Sequence, residues 1–233
     1  MNLSDQKYRH ELKYVISSSQ LVLLKKRIEN LLPLDPYAND RGHYTIRSLY
    51  FDDYFNRCFY ENLNGTDPRE KFRIRIYDRS PSRITLECKQ KIRGKTAKHS
   101  CPITLNQTKQ LMQGIPLDNV SNVSPLLQKF VLEMRTRLLK PIVIVEYDRT
   151  PFVYHAGNVR VTFDTNISSS SNIADFLSNK ISKRPIMPVG HQLLEVKFDE
   201  YLPDYIYNSL NLSQLQQTTY SKYFLCRKYT LHN

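Results

Sequence analysis

The sequence predicts an α+β fold, a closed antiparallel β-barrel of roughly eight strands decorated by helices. Three observations predict it. In EKFRIRIYDRS, residues 70–80, Lys71, Arg73, Arg75 and Tyr77 alternate with Phe72, Ile74 and Ile76. Successive strand side chains point to opposite faces, so this strand has a basic face and an apolar face. Alone, such a strand reads as half exposed, with its cations in water. The second observation is that later strand-like segments repeat the same split, which turns the charged face into the lining of an interior. The third is that these segments follow one another through short turn signals, as hairpins do, with amphipathic helical stretches between some of them.

KYRHELKYVIS, 7–17, opens the set with Lys7, Arg9, Glu11 and Lys13 opposite Tyr8, His10, Leu12 and Tyr14. SSSQLVLLKKRIENLL is a helix, with a serine cap near 17–19 and an apolar stripe of Leu21, Leu24, Ile28, Leu31 and Leu32; Pro33 and Pro36 stop it. HYTIRSLYFDD, 43–53, is a strand with mixed faces, so the pattern does not orient it. A short helix through FNRCFYENL ends at Asn64 and Gly65. After the strand at 70–80, Pro81 and Ser82 read as a tight turn into RITLECKQK, 83–91. There Thr85, Glu87, Lys89 and Lys91 oppose Ile84, Leu86 and Cys88.

IRG turns the chain into KTAKHSCPI, 95–103, a third antiparallel strand with Thr96, Lys98 and Ser100 on one face. Residues 104–140 leave the sheet as two helices, LNQTKQLMQG and SPLLQKFVLEMRTRLL, the second with Pro125 in its first turn. PIVIVEYDRTPFVYH, 141–155, sets Val143, Val145, Tyr147 and Arg149 against Ile142, Ile144, Glu146 and Asp148. A turn at Gly157 and Asn158 leads into VRVTFDTNI, where Arg160, Thr162 and Asp164 oppose Val159, Val161 and Phe163. Ser-rich residues 166–185 read as a surface loop with one helical turn. HQLLEVKFDE, 191–200, is the last strand, with Leu193, Glu195, Lys197 and Asp199 against Leu194, Val196 and Phe198. Short helices around 203–212 and 219–229 follow.

No Gly-, Ser- or Pro-rich linker divides the 233 residues, so one domain over 1–233 is expected. The 34 Lys and Arg against 22 Asp and Glu give a formal charge of +12, which points to a polyanionic partner. Cys58, Cys88, Cys101 and Cys226 form no CxxC pair and read as free thiols of a reducing cytosol. The N-terminus lacks a signal-peptide core, and the longest apolar runs are too short to span a bilayer. A soluble cytoplasmic chain is expected, with room for peripheral association with a membrane partner. There is no Walker loop, GxGxxG, GxSxG or HExxH, so P-loop, Rossmann, hydrolase-elbow and zincin chemistry lack their residues.

If the basic faces line an interior, an anionic guest must compensate them, because an isolated buried ammonium costs on the order of tens of kcal/mol in the Born limit. Phosphate suits this lining: Arg offers a planar fork to two oxygens and Lys a compact point charge. Glu11 shares its face with Lys13, Glu87 with Lys89, and Glu195 with Lys197. Beside phosphate these carboxylates call for Mg²⁺ or Mn²⁺ between them, although each also reads as a cross-strand salt bridge. A metal and several cations would supply the positioning and charge stabilisation that phosphoryl transfer needs.

RHELKYVIS, IRSLYFDD, KFRIRIY, LECKQK, VEYDRTPF, VRVTFD, LEVKFD and YSKYF, in this order, resemble the vacuolar transporter chaperone (VTC) domain. That is the polyphosphate polymerase branch of the triphosphate tunnel metalloenzymes, relatives of the CYTH phosphatases. The resemblance covers nearly the whole chain. It implies a tunnel in which the ATP γ-phosphate joins a growing inorganic polyphosphate chain with Mn²⁺ or Mg²⁺. Carried over motif by motif, it implies catalytic roles for Arg73, Arg75, Lys89, Arg149 and Lys222. It implies phosphate binding by Lys13, Lys98, Tyr147, Arg160, Lys197 and Ser221, and makes Glu195 a metal ligand, with Glu11 and Glu87 as further candidates. CYTH relatives open with ExExK, whereas Arg9, Glu11 and Lys13 stand here, so one carboxylate is replaced by a cation. Two alternatives stay open: a tunnel triphosphatase, and a non-catalytic module that holds polyphosphate or RNA. The Glu residues on the basic faces argue against nucleic acid.

Overall fold

In the computed structural model, which describes residues 8–231, the strands that alternate basic and apolar residues turn their apolar faces outward and their charged faces inward. Lys7 and His232 lie outside the described residues. Strand β1 (His10–Ser17) leads into helix α1 (Ser18–Glu29), followed by β2 (Tyr44–Asp52), α2 (Arg57–Leu63), β3 (Arg69–Tyr77), β4 (Ser80–Ile92) and β5 (Lys95–Pro102). Helices α3 (Leu105–Met112) and α4 (Pro125–Thr136) precede β6 (Lys140–Tyr154), β7 (Val159–Ser170), the short β8 (Arg184–Pro185) and β9 (His191–Phe198). Helices α5 (Asp204–Ser209) and α6 (Lys222–Leu231) complete the order.

Outward apolar faces need cover, and the helices supply it. Phe72, Ile74 and Ile76 of β3, with Ile84, Leu86 and Cys88 of β4, pack under Leu111 of α3 and Leu127, Phe130 and Met134 of α4. Tyr14, Ile16, Val161, Phe163, Leu194 and Val196 pack under Leu24 and Ile28 of α1 and Ile206 of α5. Side-chain caps fix where these helices start. Ser17 and Gln20 form a capping box on α1, Thr104 and Gln107 another on α3, and Ser124 caps α4 ahead of Pro125.

The sheet is antiparallel in the order β1-β9-β7-β6-β2-β3-β4-β5, with β8 on β7. Its edges meet at one rung, where Arg9 and Thr96 exchange backbone hydrogen bonds of 2.9 and 3.0 Å. Further along, the returning chain takes the β1 edge instead: Gln217 bridges Tyr14, and the Thr218 N–H donates to the Lys13 carbonyl at 2.8 Å. The barrel is therefore a curled sheet pinned at one rung and not zipped along its length. Part of its concave side is filled by a third core, in which Tyr50, Val143, Val145 and Ile167 meet Phe59 of α2 and Tyr223 and Cys226 of α6. No helix among the described residues is long and apolar enough to cross a membrane, and the four cysteines are free thiols.

Two local expectations change and one open orientation is decided. The β3–β4 turn is at Asp78 and Arg79, not Pro81 and Ser82; both turn residues have positive φ, 49° and 59°, as a two-residue hairpin loop requires. Pro81 sits at the start of β4, where a missing N–H is tolerated. Residues 166–170 are strand and not loop. A bulge at Asn166 and Ile167 opposite Tyr147 lets β7 continue on β6, and Asn166, with φ 54°, donates to Asp148 at 2.9 Å. The orientation of β2 is now settled: Tyr44, Ile46 and Tyr50 face inward and Leu49 and Phe51 outward. Arg47 is also outward and fully buried, its Nε donating to Glu146 at 2.7 Å and Nη1 to the Phe176 carbonyl at 2.9 Å.

Asp52, at the end of β2 and 0% exposed, ties α2 and α6 to the sheet. It accepts from the N–H groups of Asp53, Cys58 and Phe59 at 2.9, 2.8 and 3.1 Å, and from the Tyr223 hydroxyl. Asp52→Ala should cost about 3 kcal/mol or more by orphaning buried donors, and Tyr223→Phe about 1 kcal/mol, both read from denaturant unfolding midpoints. Equal losses would show that the carboxylate acts through Tyr223 alone.

Candidate active site

The inward faces enclose a cavity of about 630 Å³, lined by thirteen Lys and Arg residues but only two carboxylates, Glu11 and Glu195. One wall comes from β3, β4 and β5. Register sets Lys71 opposite Lys89, Arg73 opposite Glu87 and Arg75 opposite Thr85. Arg73 grips Glu87 through Nε at 2.7 Å and Nη2 at 2.6 Å, while Nη1 donates to the Tyr50 hydroxyl at 2.8 Å. Lys98 approaches the other Glu87 oxygen at 3.2 Å. Arg75 is held more loosely, with Nε on Ser48 at 3.2 Å and Nη1 3.6 Å from Glu87. Burial raises the Glu87 pKa, but Arg75, Arg73 and Lys98 together hold it far below the usual range.

The facing wall comes from β1, β9, β7 and β6. Glu11 lies 2.6 Å from Lys89, 3.1 Å from Lys197 and 3.5 Å from Lys13. Burial opposes its ionisation, yet these three lysines lower its pKa to about 2. Glu195 meets Arg149 at 3.0 Å, Lys197 at 3.6 Å and Lys13 at 3.7 Å, and stays well below the ordinary range by the same balance. Asp164 takes both prongs of Arg149 at 2.7 Å and Lys222 at 2.6 Å. Tyr147 lies beneath Arg149 and Lys222, whose cationic groups are 5.3 and 4.7 Å from its ring centre. Burial raises the Tyr147 phenol pKa, but Arg149, Arg75 and Lys222 outweigh it and the net shift is downward. Arg160 is held by Asp35 at 2.7 Å, and Lys13 also donates to the Tyr220 carbonyl at 3.0 Å.

The eleven residues predicted as catalytic or phosphate-binding all line this cavity. Of the predicted metal ligands, Glu11 and Glu195 line it too. Glu87 sits behind Arg73 and Arg75 as their counter-ion. Sequence reasoning placed Asp164 and Lys71 on inward faces without giving either a role. Asp35 and Tyr50 it missed, because they act through partners on distant strands.

The sequence matches the VTC domain family over residues 8–231. The chain belongs to that family. Solved structures share its fold at low identity. One is a protein from Bacillus halodurans provisionally named an adenylate cyclase, 14% identical, with 93% of this chain and 95% of that one covered and a TM-score of 0.52. Another, from Hippeastrum and provisionally named an adenylyl cyclase, is reported to have a dominant triphosphatase activity; identity is 13%, coverage 96% of each chain and the TM-score 0.53. A comparison with curated protein sequences finds no match.

For this VTC chain, the donor set bears on the metal that the family implies. Among the described residues, no group of three or more His, Cys, Asp or Glu side chains is arranged to hold a metal ion. Glu11 and Glu195 nevertheless face two shared cations, the Lys13 and Lys197 ammonium groups. Two hard carboxylates of this kind suit Mg²⁺ or Mn²⁺ when phosphate oxygens and water complete the shell. Glu87, saturated by two arginines and a lysine, does not suit it.

The lowered carboxylates also fix an acid limit. Folded Glu11 stays ionised down to about pH 2, whereas a glutamate in the unfolded chain titrates near 4.5, so between those values the unfolded chain binds the extra proton. Stability is then fully present above pH 4.5 and is lost as pH falls toward 2. Denaturant midpoints measured across that window should fall steadily; a flat profile would mean that the lysines do not hold Glu11 ionised.

Proposed function

We propose that this VTC chain is a metal-assisted phosphotransferase that moves the γ-phosphate of ATP onto a growing inorganic polyphosphate chain inside the basic cavity. The observation that carries the reading is the lining, thirteen cations against Glu11 and Glu195 within it and Glu87, Asp164, Asp35 and Asp199 behind it. So large an excess of buried positive charge fits a guest that brings many negative charges in a small volume. Family membership, with the activity its resemblance implies, supplies the direction of the reaction.

The step needs no protein nucleophile. A terminal oxygen of the polyphosphate attacks the γ-phosphorus, the bond to the bridging oxygen breaks, and ADP leaves with that electron pair. Charge builds on the transferred phosphoryl oxygens, and preorganised cations stabilise it. Arg75 is the foremost candidate for direct contact, since its guanidinium is held more loosely than that of Arg73 beside it. Arg73, Lys89, Arg149 and Lys222 are locked by carboxylates, which holds them in place without an anion. Lys13, Lys98, Lys197, Arg160, Tyr147 and Ser221 complete the cradle. A divalent ion on Glu11 and Glu195 would add Lewis-acid neutralisation of phosphoryl oxygens.

The rival reading is hydrolysis, with water in place of the chain end, and the triphosphatase activity of the Hippeastrum relative favours it. Incubation with ATP and Mn²⁺, followed by gel separation of the products, distinguishes the two. Long polyphosphate with ADP is expected; orthophosphate alone would establish the hydrolase. Arg75→Ala should lower kcat/KM by about a hundredfold or more. Unchanged turnover in both Arg75→Ala and Glu195→Gln at saturating metal would remove the cavity as the reaction centre and leave a binding module.

A further inference from the structure

The cavity's cations are compensated unevenly along the barrel. At the end where β2 begins and β3 turns into β4, Arg160 is neutralised by Asp35. At the seam, Arg9 is held by Asp199 at 3.0 Å. At the opposite end, where β3 begins and β4 finishes, Arg69 faces Lys91 in register and Lys71 occupies the next inward position. All three line the cavity, and none forms an ion pair with a carboxylate among the described residues.

Their hydrogen-bond partners are neutral, and the carboxylates that act on them, Asp67 and Glu11, do so from beyond ion-pair distance. Arg69 donates to the Thr66 carbonyl at 2.6 Å. Lys71 donates to the Asn62 side-chain oxygen on α2 at 2.7 Å and lies 4.8 Å from the centre of the Tyr223 ring on α6. Asp67, close by, accepts instead from the backbone N–H groups of Arg93 and Gly94, each at 3.0 Å. Burial, with Arg69, Lys89 and Lys13 nearby, brings Lys71 down to about 7, and Cys58 beside it is a thiol that burial keeps protonated and neutral. Burial and then Arg69 lower Lys91 in the same direction.

We propose that the polyphosphate chain leaves the reaction centre through this end, over Lys71 and between Arg69 and Lys91. The inference rests on the phosphotransferase reading and adds a direction to it. Inward positions on one strand recur about every 6.8 Å, so Arg75 to Arg69 covers about 20 Å, more than a triphosphate can span. A phosphate arriving at Arg160 competes with Asp35. One arriving at Lys71, Arg69 or Lys91 meets a cation that no described carboxylate holds in an ion pair, and gains a charge-assisted contact without displacing one. The three residues therefore serve the part of the chain beyond the reacting phosphates, and the binding they add should depend on chain length.

Calorimetric titration of the full chain with tripolyphosphate and with a size-fractionated, several-fold longer polyphosphate tests this. Arg69→Ser with Lys91→Ser should weaken long-chain binding by about tenfold at low salt and reduce its log–log salt slope by about 1.4, with tripolyphosphate binding kept. Equal loss for both ligands, or loss for neither, would overturn the proposal. So would a long-chain preference that survives in this variant but disappears in Arg160→Ser, which would reverse the direction, or a single-stranded RNA of equal charge bound as tightly as polyphosphate. If wild type binds neither phosphate ligand, the phosphotransferase reading itself falls. Lys71→Met separates a ligand role from a structural one. Without ligand it should melt at the same or a higher temperature, because it removes a buried charge crowded by like charges, and it should still lose long-chain affinity; a lower melting temperature with affinity intact would assign Lys71 to the fold alone.

Discussion

Compensation of inward positive charge is the constraint on which this structure depends. Each interior carboxylate is divided among several cations: Glu11 among three lysines, Glu87 among two arginines and a lysine, Asp164 between Arg149 and Lys222. Buried pairs of this kind repay little of their desolvation, so the interior cannot be what stabilises the fold. That role passes to the outer faces, where β3 and β4 pack on α3 and α4, and β7 and β9 on α1 and α5. The usual arrangement of a small barrel, apolar inside and polar outside, is inverted because the helices give the strands a second, dry surface.

The inversion also explains how the last helix comes to share the site. Val143, Val145 and Ile167 interrupt the charged inner face, and α6 packs on them through Tyr223 and Cys226. Asp52 fastens this contact by joining the Tyr223 hydroxyl to the backbone of α2. Lys222, one residue earlier, is thereby delivered to Asp164, and Ser221 to the cavity wall. An apolar contact and one buried carboxylate thus position a cation that lies far from the strands in sequence.

Side-chain alternation made most of this legible. In β1, β3, β4, β7 and β9 the period of two separates charged from apolar residues, and the structure keeps the same sides. Where the period fails, the reason is a partner that no local pattern encodes. Arg47 breaks the pattern of β2 because Glu146 and the Phe176 carbonyl satisfy it under the outer core. Ser168, Ser169 and Ser170 look like loop yet are buried strand, since small residues fit where β7 is covered on both sides by β6 and β8. Glu87 and Glu195 show the limit most clearly. Both stand two residues before a lysine on an inward face, so spacing cannot separate them. Cross-strand neighbours do: β3 and β5 bring Arg73, Arg75 and Lys98 to Glu87, while β1 and β6 bring Lys13 and Arg149 to Glu195.

Arg9 joins these threads. Where CYTH relatives carry the first acid of ExExK, this chain has a cation, and that cation is spent on closure. Its backbone makes the single rung with Thr96, and its side chain pairs with Asp199. The cavity is left with Glu11 and Glu195 against an excess of Lys and Arg that the protein does not neutralise. A polyanion bound there, as proposed, would do more than occupy a preformed site, because it would supply the counter-charge the fold lacks. Binding and folding are linked through that charge, so the filled barrel is more stable than the empty one by an amount that rises with the ligand's concentration over its dissociation constant. On the proposed reading the same linkage would favour a long chain over a short one, since only a ligand that reaches from Arg75 to Arg69 would relieve the repulsion along the whole wall.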